Sequence, residues 1–300
     1  MGYFCLALGI TGLLRVFGFL TDPLLSEQEI HRIVGEPARV AGSRVRPDDL
    51  KVVTWNIERG DEYESVLALL RTLNADILLL QEVDWHCRRT GYRDVPRDLA
   101  EALQMNWVAA GEFQEIGEAR GGGAAITGQA ILSRFPIEKA SVLRFKAQDR
   151  WRWSINPIQP RRGGRIALKA QTAGLLLYDT HFESGGNDKL QRRQMEEIIA
   201  DQARNPANLA PVLIAGDFNN GPVLRSAMFR HLSAAAFADA LGEAGNRVPT
   251  SSGRAHPIDW IFVKNLKPIS GRVVVHDPAA SDHFPVAAAL DLGASLALNR

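Results

Sequence analysis

Four times along this chain a short apolar run stops abruptly at carboxylates, carboxamides or histidine, and once such a cluster precedes the run. Val52-Val53 leads into Asn56 and Glu58, and Ile77–Leu80 into Gln81, Glu82 and Asp84. Leu175–Tyr178 leads into Asp179, His181 and Glu183, and Val212–Ala215 into Gly216, Asp217, Asn219 and Asn220. Ser281, Asp282 and His283 stand before Pro285–Leu290. Continuous apolar runs of this length fit strands buried on both faces, which demands sheets that are covered on both sides. Polar groups on loops at the ends of such strands are where ligand sites form. The clusters are rich in oxygen donors and imidazoles and hold no thiolate, a set that suits Mg²⁺ or Mn²⁺ better than zinc.

The rest of the chain alternates in the same texture. Strands are read at 51–57, 76–81, 129–133, 165–170, 175–180, 212–215, 258–263, 272–275 and 285–290, and helices at 64–73, 98–105, 188–203 and 223–231. Many strands, few helices and irregular spacing argue against a simple βα repeat and for two packed sheets with helices outside. Residues 51–292 read as one domain and 293–300 as a tail. Residues 21–50 read as a linker with three X-Pro pairs and a short helix around 26–34, where Ser26 caps and Glu29 completes a capping box. Such a linker should tolerate truncation. Residues 3–20 are almost wholly apolar, broken chiefly by Arg15. They read either as a membrane signal or anchor, which implies export or membrane association, or as an ordinary apolar helix of a cytoplasmic chain.

Charge narrows the partners. Lys and Arg number 35 against 34 Asp and Glu, a formal net charge of +1. That balance supplies no bulk attraction to nucleic acid or acidic membranes, so affinity for a phosphate must come from a local patch. Cys5 and Cys87 fit no metal or redox spacing.

Seven short motifs carry a resemblance: Thr54-Trp55-Asn56-Ile57, Leu80-Gln81-Glu82-Val83, Ala130-Ile131-Leu132-Ser133, Asp179-Thr180-His181-Phe182, Gly216-Asp217-Phe218-Asn219, Ile258-Asp259-Trp260-Ile261 and Ser281-Asp282-His283-Phe284-Pro285. In this order they resemble the motif set of the endonuclease/exonuclease/phosphatase superfamily, which also includes DNase I-like nucleases, sphingomyelinases and inositol polyphosphate 5-phosphatases. The resemblance implies a four-layered α/β sandwich, two mixed β-sheets packed face to face with helices outside, and metal-dependent hydrolysis of a phosphate ester. It implies Glu82 as the main metal carboxylate, Asn56 as a ligand or an orienting carboxamide, and Asp282 as a residue that orients metal or base. It implies Asp217 as activator of the attacking water and Asn219 as the donor that holds phosphate or that water. His283 would contact the scissile phosphate with Asp259 on its other ring nitrogen, and His181 would be the second imidazole. An anionic ester repels nucleophiles, so the site must neutralise charge and position water.

Taken singly these residues mean less. Asn56 alone reads as a turn or cap, Gly216–Asn219 as an ordinary turn, Asp259 as a cap, and His181 or His283 as a hydrogen-bonded structural histidine. Their joint occurrence in order is what carries the functional reading. His31, His86, His231 and His276 read as structural, and His256 as a loop residue near the site. The stretch Arg150-Trp151-Arg152-Trp153 to Arg165 mixes arginine with tryptophan. It reads as a phosphate- and base-contacting loop, with Arg162 and Arg165 as the candidate substrate contacts, as a membrane-interface loop, or as a solvated loop. Two alternatives stand beside a phosphodiesterase acting on a small molecule or lipid headgroup: a DNase I-like nuclease, and a non-catalytic binding scaffold. The intact Asn56, Glu82, Asp217, Asn219, Asp282 and His283 speak against the scaffold.

Overall fold

The computed structural model describes residues 22–38, 49–149, 159–184, 188–204, 210–220, 222–242 and 248–292. The apolar run at 3–20, the segment 39–48, most of the Arg/Trp stretch at 150–158 and the tail at 293–300 lie outside the described residues. No helix among the described residues is long and apolar enough to cross a membrane.

The strands form two sheets. The first contains β1 (Ile33–Glu36), β2 (Asp49–Arg59), β3 (Ile77–Trp85), β4 (Asn106–Glu115), β5 (Ile126–Ser133), β7 (Arg161–Gly163), β13 (Lys267–Val273) and β14 (Val286–Asp291), in the order β1-β4-β5-β3-β2-β14-β13 with β7 paired to β4. The second contains β6 (Ile137–Arg144), β8 (Ile166–Thr172), β9 (Leu175–His181), β10 (Val212–Asp217), β11 (Ala238–Asp239) and β12 (Asp259–Lys264), in the order β11-β12-β10-β9-β8-β6. Both are mixed: β2 runs parallel to β3 and β9 parallel to β10, while the other pairs are antiparallel.

Alternation along the strands builds the layers. In β2 and β3, Val52, Ile77 and Leu79 point into the core between the sheets, with Ile131, Leu177, Leu213 and Ile261. Their neighbours Val53, Leu78 and Leu80 point the other way, onto Val66, Leu67 and Leu70 of α2 (Tyr63–Leu73) and Leu99 of α3 (Val95–Leu103). Across the second sheet, Met195 and Ile198 of α4 (Asp188–Ala203) and Met228 and Leu232 of α5 (Pro222–Ala234) cover its outer face. The result is the four-layered α/β sandwich expected from the sequence, with both sheets buried on two faces as their apolar runs require.

Several boundaries differ from the sequence expectation. The helix read at 98–105 starts at Val95, because Asp94 caps it by accepting the Arg97 N–H and Pro96 occupies its first turn. The strand read at 272–275 lies earlier, at Lys267–Val273. The largest difference is the linker. The capping box of Ser26 and Glu29 is present, but the helix is only α1 (Glu27–Ile30), and β1 follows at once. Strand β1 pairs with β4 from Ile33↔Ala110 to Glu36↔Trp107, and Ile30 is 1% exposed. Residues 22–38 are therefore built into the domain edge, because an unpaired β4 flank and an apolar Ile30 are both satisfied there.

Candidate active site

The two parallel strand pairs bring their C-terminal ends to one place. Asn56 and Glu82 come from β2 and β3, His181 and Asp217 end β9 and β10, and Asp259 begins β12. His181, Asp217 and Asp259 stand in register across three neighbouring strands. Gly216 makes that row possible: its φ is +142° and a Cβ there would lie 1.8 Å from the Thr180 carbonyl oxygen. Glu82 needs a different device. Strict alternation would aim it outward with Leu80, yet its φ is +49° and the β2–β3 and β3–β5 pairings both slip beside it. The bulge turns Glu82 toward the site and puts Val83 on the helix-covered side instead. A left-handed non-glycine residue costs on the order of 1 kcal/mol, which the surrounding ladders must sustain.

Asp217 is the hub. Asn56 Nδ2 lies 3.3 Å from Asp217 Oδ2 and 3.4 Å from Glu82 Oε1. His181 Nε2 is 3.4 Å and His283 Nε2 3.8 Å from the same Asp217 oxygen. Asn219 donates its backbone N–H to Asp217 Oδ1 at 2.9 Å and its side-chain amide to Oδ2 at 3.3 Å. Behind His283, Nδ1 faces both Asp259 oxygens at 3.0 and 3.1 Å. Ser281 fixes this loop by donating its hydroxyl to the Asn56 carbonyl at 2.7 Å and accepting the His283 N–H at 3.1 Å. Trp55 Nε1 donates to the His283 carbonyl at 2.8 Å.

Burial and neighbouring charges set the protonation states. Burial, then the Asp259 charge, push the Asp217 carboxyl up to about 7. Burial opposes a charged His283, but the carboxylates of Asp259 and Asp217 prevail and push it up to about 10. Burial, with Arg165 and His283 nearby, drives His181 well below the ordinary histidine value, so it is neutral. Burial also opposes an ionised Glu82, yet Arg59, Arg161, Arg165 and His283 outweigh it and hold the carboxyl below its usual range. The site thus pairs a charged imidazole, a neutral imidazole, an ionised glutamate and an aspartate poised near neutrality.

The donor set fits a hard divalent cation. Asp217, Asp259 and His283 place one ligand atom each within 4.8 Å of one another. A charged His283 has no lone pair to offer, however, and both its nitrogens face carboxylates. Glu82, already ionised, is the better anchor, with Asp282 lining the same cleft. Asn56 is engaged at both ends: its oxygen accepts the Glu58 N–H at 3.1 Å and its nitrogen faces Glu82 and Asp217.

These residues line a cleft of about 320 Å³ shared by Arg59, Glu82, Arg161, Arg165, His181, Asp217, Asn219, Arg254, Asp282 and His283, among others. Asn56 and Asp259 lie in its wall, through the contacts above. Arg162 is the one sequence candidate that the structure does not bring to the cleft. It sits on strand β7, where successive side chains point to opposite faces. Arg161 faces the cleft, and the charge of Arg162 acts on Glu29 instead. The sequence reading also missed Arg59, Arg254 and the buried Glu112 and Glu115. Arg59 follows Glu58 directly, so a cation within reach of the first motif was the available signal.

The sequence model of the Endonuclease/Exonuclease/phosphatase family matches residues 53–283. No curated protein matches the chain. Among solved structures, an endonuclease/exonuclease/phosphatase from Beutenbergia cavernae DSM 12333 is similar with a TM-score of 0.61 at 21% identity, over 82% of this chain and 72% of that one. An AP endonuclease from Archaeoglobus fulgidus gives 0.59 at 16% identity, over 81% of this chain and 100% of the other. A mannosyl-6-phosphatase from Bacteroides thetaiotaomicron VPI-5482 gives 0.55 at 20% identity, over 80% and 99%.

Proposed function

Because the chain belongs to the endonuclease/exonuclease/phosphatase family, we propose that it hydrolyses a phosphate ester, a phosphodiester first of all, with Mg²⁺ or Mn²⁺ held at Glu82. The observation that carries this reading is the convergence of Asn56, His181, Asn219 and His283 on the Asp217 carboxylate. A carboxyl pushed up to about 7 by burial and Asp259 is suited to take a proton from water near neutral pH. Asn219 holds that carboxylate from both of its nitrogens. Charged His283, steadied by Asp259, offers Nε2 as a donor to a phosphoryl oxygen, and neutral His181 offers a second. Glu82 and Asp282 would hold the cation, which would supply charge neutralisation at the ester.

Nucleic acid is the second reading. The net charge of +1 gives no bulk attraction, but the cleft arginines form the local patch that a phosphate backbone requires. Similarly folded proteins include an AP endonuclease and a mannosyl-6-phosphatase, so the fold alone does not choose between them. The test is a panel of bis-p-nitrophenyl phosphate, plasmid DNA, sphingomyelin and inositol phosphates with Mg²⁺ or Mn²⁺. EDTA is expected to abolish turnover and either cation to restore it, and Glu82→Gln to raise the cation concentration needed for half-activity. Full turnover in excess chelator overturns the metal assignment.

A further inference from the structure

Arg161 and Arg165 are braced from beneath. Strand β7 lies on β4 with Gly163 opposite Phe113 and Arg161 opposite Glu115. The chain then passes through Gly164 into β8 of the other sheet. Close approach demands Gly163, whose φ is +143° and where a Cβ would lie 2.0 Å from the Glu112 carbonyl oxygen, and Gly164 packs against the end of the Gln148 side chain. The β4–β5 pairing slips between Gly111 and Phe113, which leaves Glu112 as an extra residue with a re-aimed side chain. Both guanidiniums lie over the Phe113 ring, 4.8 Å from its centroid for Arg161 and 5.2 Å for Arg165.

Each arginine also has its own carboxylate. Arg161 Nη2 is 2.9 Å from Glu115 Oε1, and Arg165 Nη1 is 3.1 Å from Glu112 Oε2. The same Glu115 oxygen is 3.5 Å from Arg89 Nη2, and Arg89 is itself fixed on Asp84 by two bonds of 2.6 and 2.9 Å. Guanidiniums pinned by packing and ion pairs lose little rotamer freedom when an anion arrives, and their planar forks match phosphate oxygens.

A phosphodiester carries one negative charge, and the cleft brings several guanidiniums to it, Arg161 and Arg165 with a carboxylate behind each. Arg59, Arg161, Arg165 and Arg254 line the same cleft. Arg161 and Arg165 share that lining with Glu82, Asp217 and His283, so an anion on this pair sits in the cleft of the reacting phosphate. Resting on the phosphoesterase reading above, we propose that Arg161 and Arg165 form a subsite for a second phosphate of the substrate, next to the scissile one. The substrate class is then a small ester that carries two phosphate groups.

Calorimetric titration of the full chain in EDTA, with pyrophosphate and with orthophosphate, tests the subsite with no metal involved. Pyrophosphate is expected to bind at least about tenfold tighter, as two arginine–phosphate contacts allow, and Arg161→Gln or Arg165→Gln to bring it down to the orthophosphate level. Equal affinity of the wild-type chain for the two anions overturns the subsite, and that comparison needs no variant to fold. A preference that survives both substitutions in folded protein overturns it as well. Hydrolysis of bis-p-nitrophenyl phosphate with Mg²⁺ tests the underlying reading separately. A chain that prefers pyrophosphate but cleaves no ester keeps the subsite and loses the function. One that cleaves the ester but binds both anions alike keeps the function and loses the subsite.

Discussion

His283 is held at its two ring nitrogens by carboxylates with different work: Asp259 at 3.0 Å on Nδ1 and Asp217 at 3.8 Å from Nε2. Asp259→Asn removes a full charge and leaves the shape. It is expected to lower the His283 pKa, read by NMR titration of the imidazole, and to cut turnover roughly 10–100-fold, as loss of an orienting partner does elsewhere. Because the two residues act as one unit, the His283→Ala and Asp259→Asn losses should not multiply in the double variant; independent losses would separate the pair. A different histidine contributes to acid sensitivity. His31 is buried with Nδ1 2.8 Å from the Gly111 carbonyl, and burial depresses its pKa below the ordinary 6.5. The folded chain keeps His31 neutral while the unfolded chain takes up a proton. Its contribution is therefore intact above about pH 6.5 and lost as pH falls toward the folded value, at up to roughly 1.4 kcal/mol per pH unit. Urea midpoints for His31→Gln should fall less between pH 7 and 5 than those of the wild type, and an equal fall would clear His31 of the effect.

At the scale of elements, the strands that end in motifs were legible because an apolar run and a sharp polar stop coincide, as at Ile77–Glu82 and Val212–Asp217. Strand β4 was not. Its ten residues are all buried, yet Asn106, Gly111, Glu112, Gln114 and Glu115 hide the apolar texture. Those polar groups are tolerable inside only because partners far along the chain meet them, such as Arg161 and Arg165, and spacing cannot show that. Edge strand β1 was lost for a related reason: four residues between a short helix and Pro37 resemble connection, and only pairing with β4 makes them a strand. This changes what truncation should do. A chain starting at residue 22 keeps α1 and β1 and should melt like the full-length protein. A chain starting at Ser43 loses Ile30 and the β1 ladder and should be less stable by roughly 2–5 kcal/mol, the range for deleting a large buried aliphatic side chain. Equal thermal midpoints for the two would return residues 22–38 to the role of linker.

For the whole molecule, the order of the motifs foretold two sheets and one shared mouth, because a site of this kind needs strand ends from both. What order cannot convey is which face a side chain takes. Glu82 reaches the site only through a left-handed bulge, and Arg162 misses it by one residue of alternation. The same edge that hides β1 also holds the first described residue, Asp22. The carboxylate of Asp22 accepts the Gly117 N–H at 2.7 Å, two residues beyond Glu115, whose partner Arg161 lines the cleft. A tether joined at residue 22 would therefore pull on the C-terminal end of β4, where Gln114 and Gly117 hold Pro23 and Asp22.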